Sequence, residues 1–300
     1  MSLLVPAPIG NGLLPDHPDL AGMVVTEVLR DRPGHAVFAV RWRERPYFVK
    51  VFRHADAAGL VRATVATLSR AAEDLGQAEN AVVRLRLVLP EAGVIVLDPV
   101  AGEQLTNVLL PATPQRRATL IARAGCWLAA LTHERERAAF GPQYWLEGLR
   151  KQLGAQATSD PVLVRHLSAM REAGREIKGI AVERAASHGD FTPDNLYLDG
   201  ARLVGIDMQR SPQMAVARDV ARFLVWLHSR RFEMPAVTRH GVSAADYAAL
   251  VSVPGLIPAD QEPILRFMMG EIMAGYYHQA QGKPQRRELL AGAMAHWAKA

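Results

Sequence analysis

The segment 188–209, HGDFTPDNLYLDGARLVGIDMQ, most constrains the fold of this chain. It joins an acidic loop to two short apolar runs, 196–198 and 203–206, which are separated by Asp199-Gly200. An Asp-Gly pair between two apolar runs is typical of a tight hairpin turn. A hairpin brings the residues that flank it close together, so the sequence predicts that the loop and the acid after the second run serve one site.

Three side chains of this segment can handle protons or metal ions: Asp190, Asn195 and Asp207. Transfer of a phosphoryl group to a hydroxyl needs a carboxylate to accept the proton, and Mg²⁺ held by hard oxygen ligands. The five-residue step from Asp190 to Asn195 equals the step between the acid and the metal-binding amide of the protein-kinase catalytic loop. The segment therefore predicts a site for phosphoryl transfer.

HGDFTPDN followed by IDMQ resembles the aminoglycoside and choline phosphotransferase branch of the protein-kinase-like superfamily. In that family the loop Asp is the catalytic base, the Asn and the later Asp bind Mg²⁺, and the loop His and Gly shape the loop. The resemblance implies these roles for Asp190, Asn195, Asp207, His188 and Gly189. It extends through RDVARF at 218–223 and implies that Asp219 braces the loop from a helix.

The same resemblance implies an α+β, bilobal, protein-kinase-like fold. We expect residues 1–100 to form a nucleotide-binding lobe, with a small antiparallel sheet plus a helix. Residues 101–300 would form a larger, mainly helical lobe that carries catalysis and acceptor binding. Residues 98–102 would be the hinge that meets the nucleotide base through backbone groups, so the sequence leaves ATP and GTP both open.

Lys50 lies at the centre of YFVKVF, one of two β-rich runs near the N-terminus. Strand alternation places it on the face opposite to Val49 and Val51. The resemblance implies that Lys50 holds the α- and β-phosphates, and a solvent-facing strand lysine is the alternative. Gly34, in DRPGHAVF, is the one glycine available for a loop over the phosphates, so Gly34 and His35 are expected near the nucleotide.

The helix predicted at 57–75 bears on the acidic partner of Lys50. The helical period places its apolar residues on one face and Glu73 almost opposite, so Glu73 is expected to face solvent, and Asp74 is only slightly better placed. The partner of Lys50 is thus left open. Either another segment supplies an acid, or the chain is a pseudokinase scaffold that acts through protein interactions.

Further local patterns predict the other elements. Val82–Leu89 and Gly93–Leu97 read as the last two strands of the small lobe. Thr113-Pro114 is typical of an N-cap with proline in the first turn and predicts a helix in which Cys126 packs. Later helices are expected at 216–229 and 262–279.

The late helices are expected to form the acceptor pocket. Residues 211–300 contain ten Lys or Arg against seven Asp or Glu, a net charge of +3. A polycationic aminoglycoside would prefer a pocket rich in carboxylates, so a neutral or anionic hydroxyl compound is favoured, such as a sugar or a phosphorylated metabolite. Glu271 and Tyr276 are candidate acceptor contacts, with a partly buried helix flank as the alternative.

Composition restricts the class of protein. The chain has 300 residues, 49% apolar and 22% charged, and a single cysteine, which suits a reducing cytoplasm. The N-terminus lacks a basic start, and no apolar run reaches membrane-spanning length, so neither a signal peptide nor a membrane segment is expected. The net charge of +5 is spread along the chain, which disfavours nucleic acid as a partner. A protein Ser/Thr kinase and an antibiotic-resistance phosphotransferase stay open, as does the oligomeric state.

Overall fold

A computed structural model describes residues 11–208 and 213–299. Within these ranges the chain forms two compact units. The first contains residues 11–102 together with 197–208, and the second contains 103–196 together with 213–299. The segment around the predicted hairpin therefore contributes to both units.

The first unit is built on an antiparallel sheet and one long helix. Its strands and helix are β1 (Val24–Arg32), β2 (His35–Trp42), β3 (Arg45–Phe52), α1 (Ala57–Leu75), β4 (Asn80–Val82), β5 (Leu85–Leu89) and β6 (Val94–Leu97). Five of the strands form a sheet in the order β1-β2-β3-β6-β5, with every neighbouring pair antiparallel. The predicted N-terminal antiparallel sheet plus helix is confirmed.

Strand alternation in β3 places Val49 and Val51 in the buried core and Lys50 on the other face. The predicted run Val82–Leu89 is wrong as a single strand. Residues 80–82 form β4, which pairs in parallel with the later strand β11 (Arg202–Gly205). Of the predicted run, only the part that forms β5 joins the five-stranded sheet. The break has a non-local cause, because the partner of β4 lies more than a hundred residues away along the chain.

The predicted hairpin is present with its turn shifted by one residue. β10 (Leu196–Asp199) and β11 are hydrogen-bonded neighbours joined at Gly200 and Ala201. Gly200 has φ +59°, a conformation that glycine adopts without steric cost. Gly102 has φ +89°, and a Cβ there would lie 2.2 Å from the carbonyl oxygen of Leu198, so a glycine is required where the first unit ends.

The second unit is mainly helical, as predicted. Its elements are β7 (Glu103–Gln104), α2 (Leu105–Leu109), α3 (Pro114–Leu131), β8 (Glu136–Ala139), α4 (Pro142–Leu153), α5 (Gln156–Ser159), α6 (Pro161–Ile177), β9 (Ala181–Ala186), β12 (Gln213–Ala215), α7 (Val216–His228), β13 (Thr238–Arg239), β14 (Val242–Ser243), α8 (Ala244–Val251), α9 (Glu262–Gln279) and α10 (Pro284–Lys299). Strands β12, β9 and β8 form a small antiparallel sheet. Helix α9 has the predicted bounds, and α7 ends one residue before the predicted end.

Helix α3 begins as its sequence predicts, with the Thr113 side chain accepting a hydrogen bond from the Arg116 amide. Its buried face includes Trp127, whose ring stacks on that of Phe191, in the loop after β9, with centroids 5.8 Å apart. The expectation that Cys126 packs is wrong, since this residue is exposed. Cys126 follows the buried Ala124 by two residues, which is about 200° around a helix.

None of the helices in the described ranges is long and apolar enough to span a bilayer.

Candidate active site

The loop that begins at His188 is held in shape from α7. Asp219, which is only 1% exposed, accepts hydrogen bonds from the backbone amides of His188 at 2.8 Å and Gly189 at 3.2 Å. The Asp190 amide donates in turn to Nδ1 of His188 at 3.3 Å. A buried carboxylate that accepts several amide hydrogens fixes those amides strongly, because the bonds are charge-assisted. These are the contacts that a brace beneath the loop would make.

The carboxylate of Asp190 is oriented by two partners and is still 32% exposed. Its Oδ1 accepts a hydrogen bond from Nη1 of Arg222 at 3.0 Å, and its Oδ2 accepts one from Nδ2 of Asn195 at 3.2 Å. The same Asn195 nitrogen donates to the Asp190 carbonyl at 2.8 Å. The nitrogen of this amide is thus committed to Asp190, which leaves the Asn195 oxygen as the atom suited to a metal ion.

The Arg222 guanidinium stays charged beside Asp190. Burial lowers the pKa of Arg222, but the nearby Tyr276, Asp190, Asp219 and Glu271 together raise it above its ordinary value. The guanidinium therefore places a positive charge 3.0 Å from Oδ1 of Asp190 and orients that carboxylate.

The far end of the loop is anchored through Asp194. Its Oδ1 accepts a hydrogen bond from Oγ1 of Thr106 at 2.7 Å, and its Oδ2 accepts one from Nε1 of Trp226 at 3.1 Å. Its carbonyl accepts a bond of 2.6 Å from Nε2 of Gln104. The turn that contains Asn195 is thereby tied to α2 and α7.

In the first unit, the acid that reaches Lys50 is Asp207. Nζ of Lys50 donates to Oδ1 of Asp207 at 2.8 Å, and Nη1 of Arg30 lies 3.8 Å from Oδ2. Glu73 is exposed, as expected, and Asp74 pairs with Arg70 on α1 at 3.7 Å. The partner left open by the sequence therefore comes from the segment after β11 and not from the helix.

Asp207 adopts φ +51°. This left-handed region is uncommon outside glycine, and Asp and Asn are among the residues that tolerate it. Backbone outliers of this kind cluster at functional sites because surrounding structure is needed to hold them. In this conformation Oδ1 of Asp207 lies 2.8 Å from Nζ of Lys50.

Gly34 lies in the turn between β1 and β2, and a Cβ built on it would meet no atom within 4 Å. Space in the protein itself does not require glycine there. The neighbouring His35 has a lowered pKa, caused first by burial and then by the charges of Lys50 and Arg30. The imidazole is accordingly neutral near pH 7.

Of the two candidate acceptor contacts, Glu271 is committed to an internal partner. It is buried and accepts hydrogen bonds from Nε and Nη2 of Arg218 at 3.3 and 3.1 Å. The Arg218 guanidinium also lies over the ring of Trp145, 5.1 Å from its centroid. Arg218 and Trp145 line a cleft of about 530 Å³ together with Tyr144, Phe140, Met214 and Arg184.

Tyr276 is the candidate contact that sits beside the loop acid. Burial raises the pKa of Tyr276, Arg222 opposes this shift and Asp190 adds to it. Arg286 also lies against the Tyr276 ring, with its guanidinium carbon 5.6 Å from the centroid. Tyr276 is therefore close enough to Asp190, Arg222 and Arg286 for their charges to shift its pKa.

The structure thus gathers two sets of predicted residues, one in each unit. Lys50 and Asp207 meet in the first unit, and the second unit brings His188, Asn195, Asp219 and Tyr276 around Asp190. Within residues 11–208 and 213–299, no group of three or more His, Cys, Asp or Glu side chains could hold a metal ion. The predicted magnesium ligands Asn195 and Asp207 still offer amide and carboxylate oxygens, the donors that this ion prefers.

Sequence reasoning missed three residues of these sets: Arg222, Asp194 and Arg30. Arg222 lies three residues after Asp219, so both occupy one face of a helix that already carried a prediction. Asp194 is the second acid of the loop motif, next to Asn195. Arg30 has no local signal, because its place near Asp207 depends on strand β1 meeting a segment far along the chain.

Comparison with solved structures shows the same fold elsewhere. Aminoglycoside phosphotransferase APH(4)-Ia is 15% identical, with a TM-score of 0.56 over 91% of this chain and 92% of that chain. Choline kinase LicA from Streptococcus pneumoniae is 15% identical, with a TM-score of 0.54 over 86% and 89%. A choline/ethanolamine kinase family protein from Mesorhizobium loti is 17% identical, with a TM-score of 0.53 over 95% and 90%. The protein-kinase-like α+β fold is confirmed.

At the level of sequence, no curated protein matches the chain. The sequence model of a family does match, and it covers residues 28–250, from β1 to α8. The match includes Lys50, the loop with Asp190 and Asn195, and Asp207. With most of the chain covered, this protein belongs to the phosphotransferase enzyme family, APH.

Proposed function

We propose that the protein transfers the γ-phosphate of ATP or GTP to a hydroxyl of a small molecule, with a sugar or another metabolite as acceptor. The observation that carries this proposal is the partly exposed carboxylate of Asp190, which Arg222 and Asn195 orient. Family membership supports phosphoryl transfer. A thermostable mutant of APH(4)-Ia, 14% identical with a TM-score of 0.57, was solved as a ternary complex with AMP-PNP and hygromycin B.

Asp190 acts as the general base in this proposal. It holds the acceptor hydroxyl in line with the γ-phosphorus and accepts the hydroxyl proton as the new oxygen–phosphorus bond forms. The bond from the γ-phosphorus to the β–γ bridging oxygen breaks, and the nucleoside diphosphate leaves. Arg222 orients the carboxylate, because its Nη1 donates a hydrogen bond to Oδ1 at 3.0 Å.

Asn195 and Asp207 fit Mg²⁺ through their hard oxygen atoms. Bound Mg²⁺ would neutralise negative charge on the β- and γ-phosphates. Lys50 would hold the α- and β-phosphates as a point charge, and its 2.8 Å contact with Asp207 keeps the ammonium in place on β3. Gly34 and His35 would lie near the phosphates, and the exposed glycine turn leaves room for them.

The single cysteine suits a cytoplasmic location.

The alternatives predict different outcomes of simple assays. A pseudokinase scaffold would bind nucleotide weakly or not at all. A protein Ser/Thr kinase would place phosphate on a protein, and an antibiotic-resistance enzyme would make cells drug tolerant. Among these, the missing helix glutamate favoured the scaffold, but Asp207 supplies Lys50 with an acid.

Calorimetric titration of ATP and GTP, with and without Mg²⁺, tests the proposal. We expect Mg²⁺-dependent binding to the wild type and a loss of affinity of about tenfold or more in Asp207→Asn. Asn is chosen because it tolerates the left-handed backbone of residue 207 as Asp does. Asp199→Asn, in which an exposed carboxylate of the hairpin is removed, is the control. No binding of either nucleotide would refute the proposal and favour a scaffold.

A further inference from the structure

The face of the second unit beside Asp190 carries three arginines from two helices. Arg222 lies on α7, Arg230 lies just beyond its end, and Arg286 lies in the first turn of α10. All three act electrostatically on the buried Tyr276, which also feels Asp190. Arg286 lies over the Tyr276 ring, 5.6 Å from its centroid, and the other two arginines and Asp190 are close enough to act on the tyrosine by charge.

Arg286 has donors that the protein does not use. Its Nη2 donates to the neutral hydroxyl of Ser229 at 3.1 Å, and it forms no ion pair with any residue in the described ranges. Its Nε is buried with no hydrogen-bond partner among the described residues, as is Nε of Arg222. The pKa of Arg286 is lowered, first by burial and then by the like charge of Arg230. Asp194 is a carboxylate that acts on both guanidinium groups. One carboxylate shared by two guanidinium groups leaves a net positive charge that an arriving anion would offset.

Arg230 is also poorly compensated. Its guanidinium lies over the Trp226 ring at 4.7 Å, and the side chain is 41% exposed. Among the described residues its carboxylate contact is with Oδ2 of Asp194 at 3.5 Å, an oxygen that already accepts a hydrogen bond from Nε1 of Trp226. Arg230 can therefore donate to a ligand without giving up a strong internal bond.

The nearby carboxylates are engaged elsewhere. Asp219 accepts backbone amides of the loop, Asp194 holds Thr106 and Trp226, and Glu271 binds Arg218 through two nitrogens. A cationic acceptor would meet guanidinium groups here in place of unpaired carboxylates. Asp194 is the carboxylate that acts on both Arg230 and Arg286, and an acceptor with an anionic group would supply the second negative charge for this pair.

We infer that the acceptor hydroxyl compound carries a phosphate or carboxylate group, which Arg230 and Arg286 bind while Asp190 receives the hydroxyl. This inference rests on the proposed kinase function and narrows its substrate class. Guanidinium groups bind both anions through paired N–H donors. Arg222 stays on Asp190, so the base and the anion-binding pair are separate groups on one face.

Direct anion binding is the first test, with the nucleotide site filled by AMP-PNP and Mg²⁺. Inorganic phosphate and malonate are titrated separately, and they distinguish phosphate from carboxylate recognition. We expect at least one to bind the wild type and to lose about tenfold or more in affinity in Arg286→Gln and in Arg230→Gln. Arg286→Lys, which keeps the charge and loses the fork, should fall between wild type and Gln. Arg171→Gln, an exposed arginine of α6, removes the same charge and should change nothing.

Turnover of matched acceptors is the second test. Glycerol is compared with glycerate and glycerol 3-phosphate, glucose with gluconate and glucose 6-phosphate, and choline and hygromycin B serve as cationic probes. We expect a charged member of a set to exceed its neutral parent, and Arg286→Gln to remove that preference and spare the neutral parent. Thermal unfolding of each variant checks that the fold is retained.

The outcomes separate the two ideas. The inference would be overturned, and the kinase proposal would stand, if the protein bound AMP-PNP but bound neither anion. The same holds if the anion affinity did not change in Arg230→Gln and Arg286→Gln. Preferential turnover of choline or hygromycin B would do the same. Failure to bind AMP-PNP would refute the kinase proposal, and the inference would fall with it.

Discussion

We call the surface formed by Arg230 and Arg286 the arginine face. It lies in the same helical unit as the loop around Asp190, but the two regions differ in how many of their polar groups have hydrogen-bond or ion-pair partners. In the loop, two backbone amides, the Asn195 nitrogen and the Asp190 carboxylate all have partners within 3.3 Å. On the arginine face, Arg286 donates to the Ser229 hydroxyl and forms no ion pair within the described residues, and Arg230 contacts a carboxylate only at 3.5 Å there.

This difference in hydrogen bonding indicates that the two regions have different roles. A polar network that is satisfied internally fixes geometry, and its value lies in holding one atom in one place. Charged donors without internal partners are costly to keep, so they mark positions where a ligand completes the hydrogen bonds. The loop thus positions the base, and the arginine face selects what is brought to it.

The largest effect is expected from removing the base itself. Asp190→Asn should lower kcat by roughly 10³-fold, because an amide cannot accept the hydroxyl proton. The substitution keeps the shape of the side chain, so nucleotide affinity should change little. A phosphoryl-transfer assay with the best acceptor measures kcat, and Asp199→Asn serves as a control on an exposed aspartate. Near-normal turnover would show that the loop holds a different base.

The brace beneath the loop should give the next largest effect. Asp219→Asn replaces a buried carboxylate that accepts two backbone amides by a neutral group with one acceptor oxygen. We expect the free energy of unfolding to fall by about 2 kcal/mol, measured by urea denaturation, with turnover reduced as well. A change below about 0.5 kcal/mol, as expected for a surface site, would mean that the loop holds its shape without Asp219.

The contrast also explains what the sequence could predict. The loop is encoded locally, with Asp190, Asn195 and the hairpin inside one short segment, and α9 follows from a local apolar period with the predicted bounds. The assignments that failed depend on distant contacts. β4 leaves the predicted strand because it pairs with β11, and the sequence could not give Lys50 its partner because Asp207 lies 157 residues away.

The arginine face also depends on contacts between residues that are far apart in the chain. Arg230 and Arg286 lie 56 residues apart, and neither has a motif, a spacing or a period that separates it from the other arginines. The excess of positive charge in residues 211–300 pointed to a neutral or anionic acceptor, but net charge does not locate a site. Packing of α10 against α9 decides which arginines meet Tyr276 and which remain at the surface.

The smallest expected effect tests whether Tyr276 belongs to the loop or to the arginine face. Tyr276→Phe keeps the ring under Arg286 and removes one hydroxyl, so stability should change little and kcat/KM for an anionic acceptor should fall about fivefold, near 1 kcal/mol. Burial raises the pKa of Tyr276, Arg222 opposes the shift and Asp190 adds to it. The folded protein therefore keeps this hydroxyl protonated above pH 9, and it can donate across that range.

The sign of the shift sets the pH dependence. Because the folded pKa of Tyr276 lies above the unfolded value, the contribution of this group to stability is complete below pH ~10 and is lost only as pH rises further. The ratio of kcat/KM between wild type and Tyr276→Phe should then stay constant from pH 7 to 9. If this ratio fell towards one between pH 7 and 9, the Tyr276 hydroxyl would be losing its proton within that window. The arginines would then dominate its pKa, and Asp190 would not. An equal loss for neutral and anionic acceptors would assign Tyr276 to the positioning of the hydroxyl, and a loss confined to anionic acceptors would assign it to the arginine face.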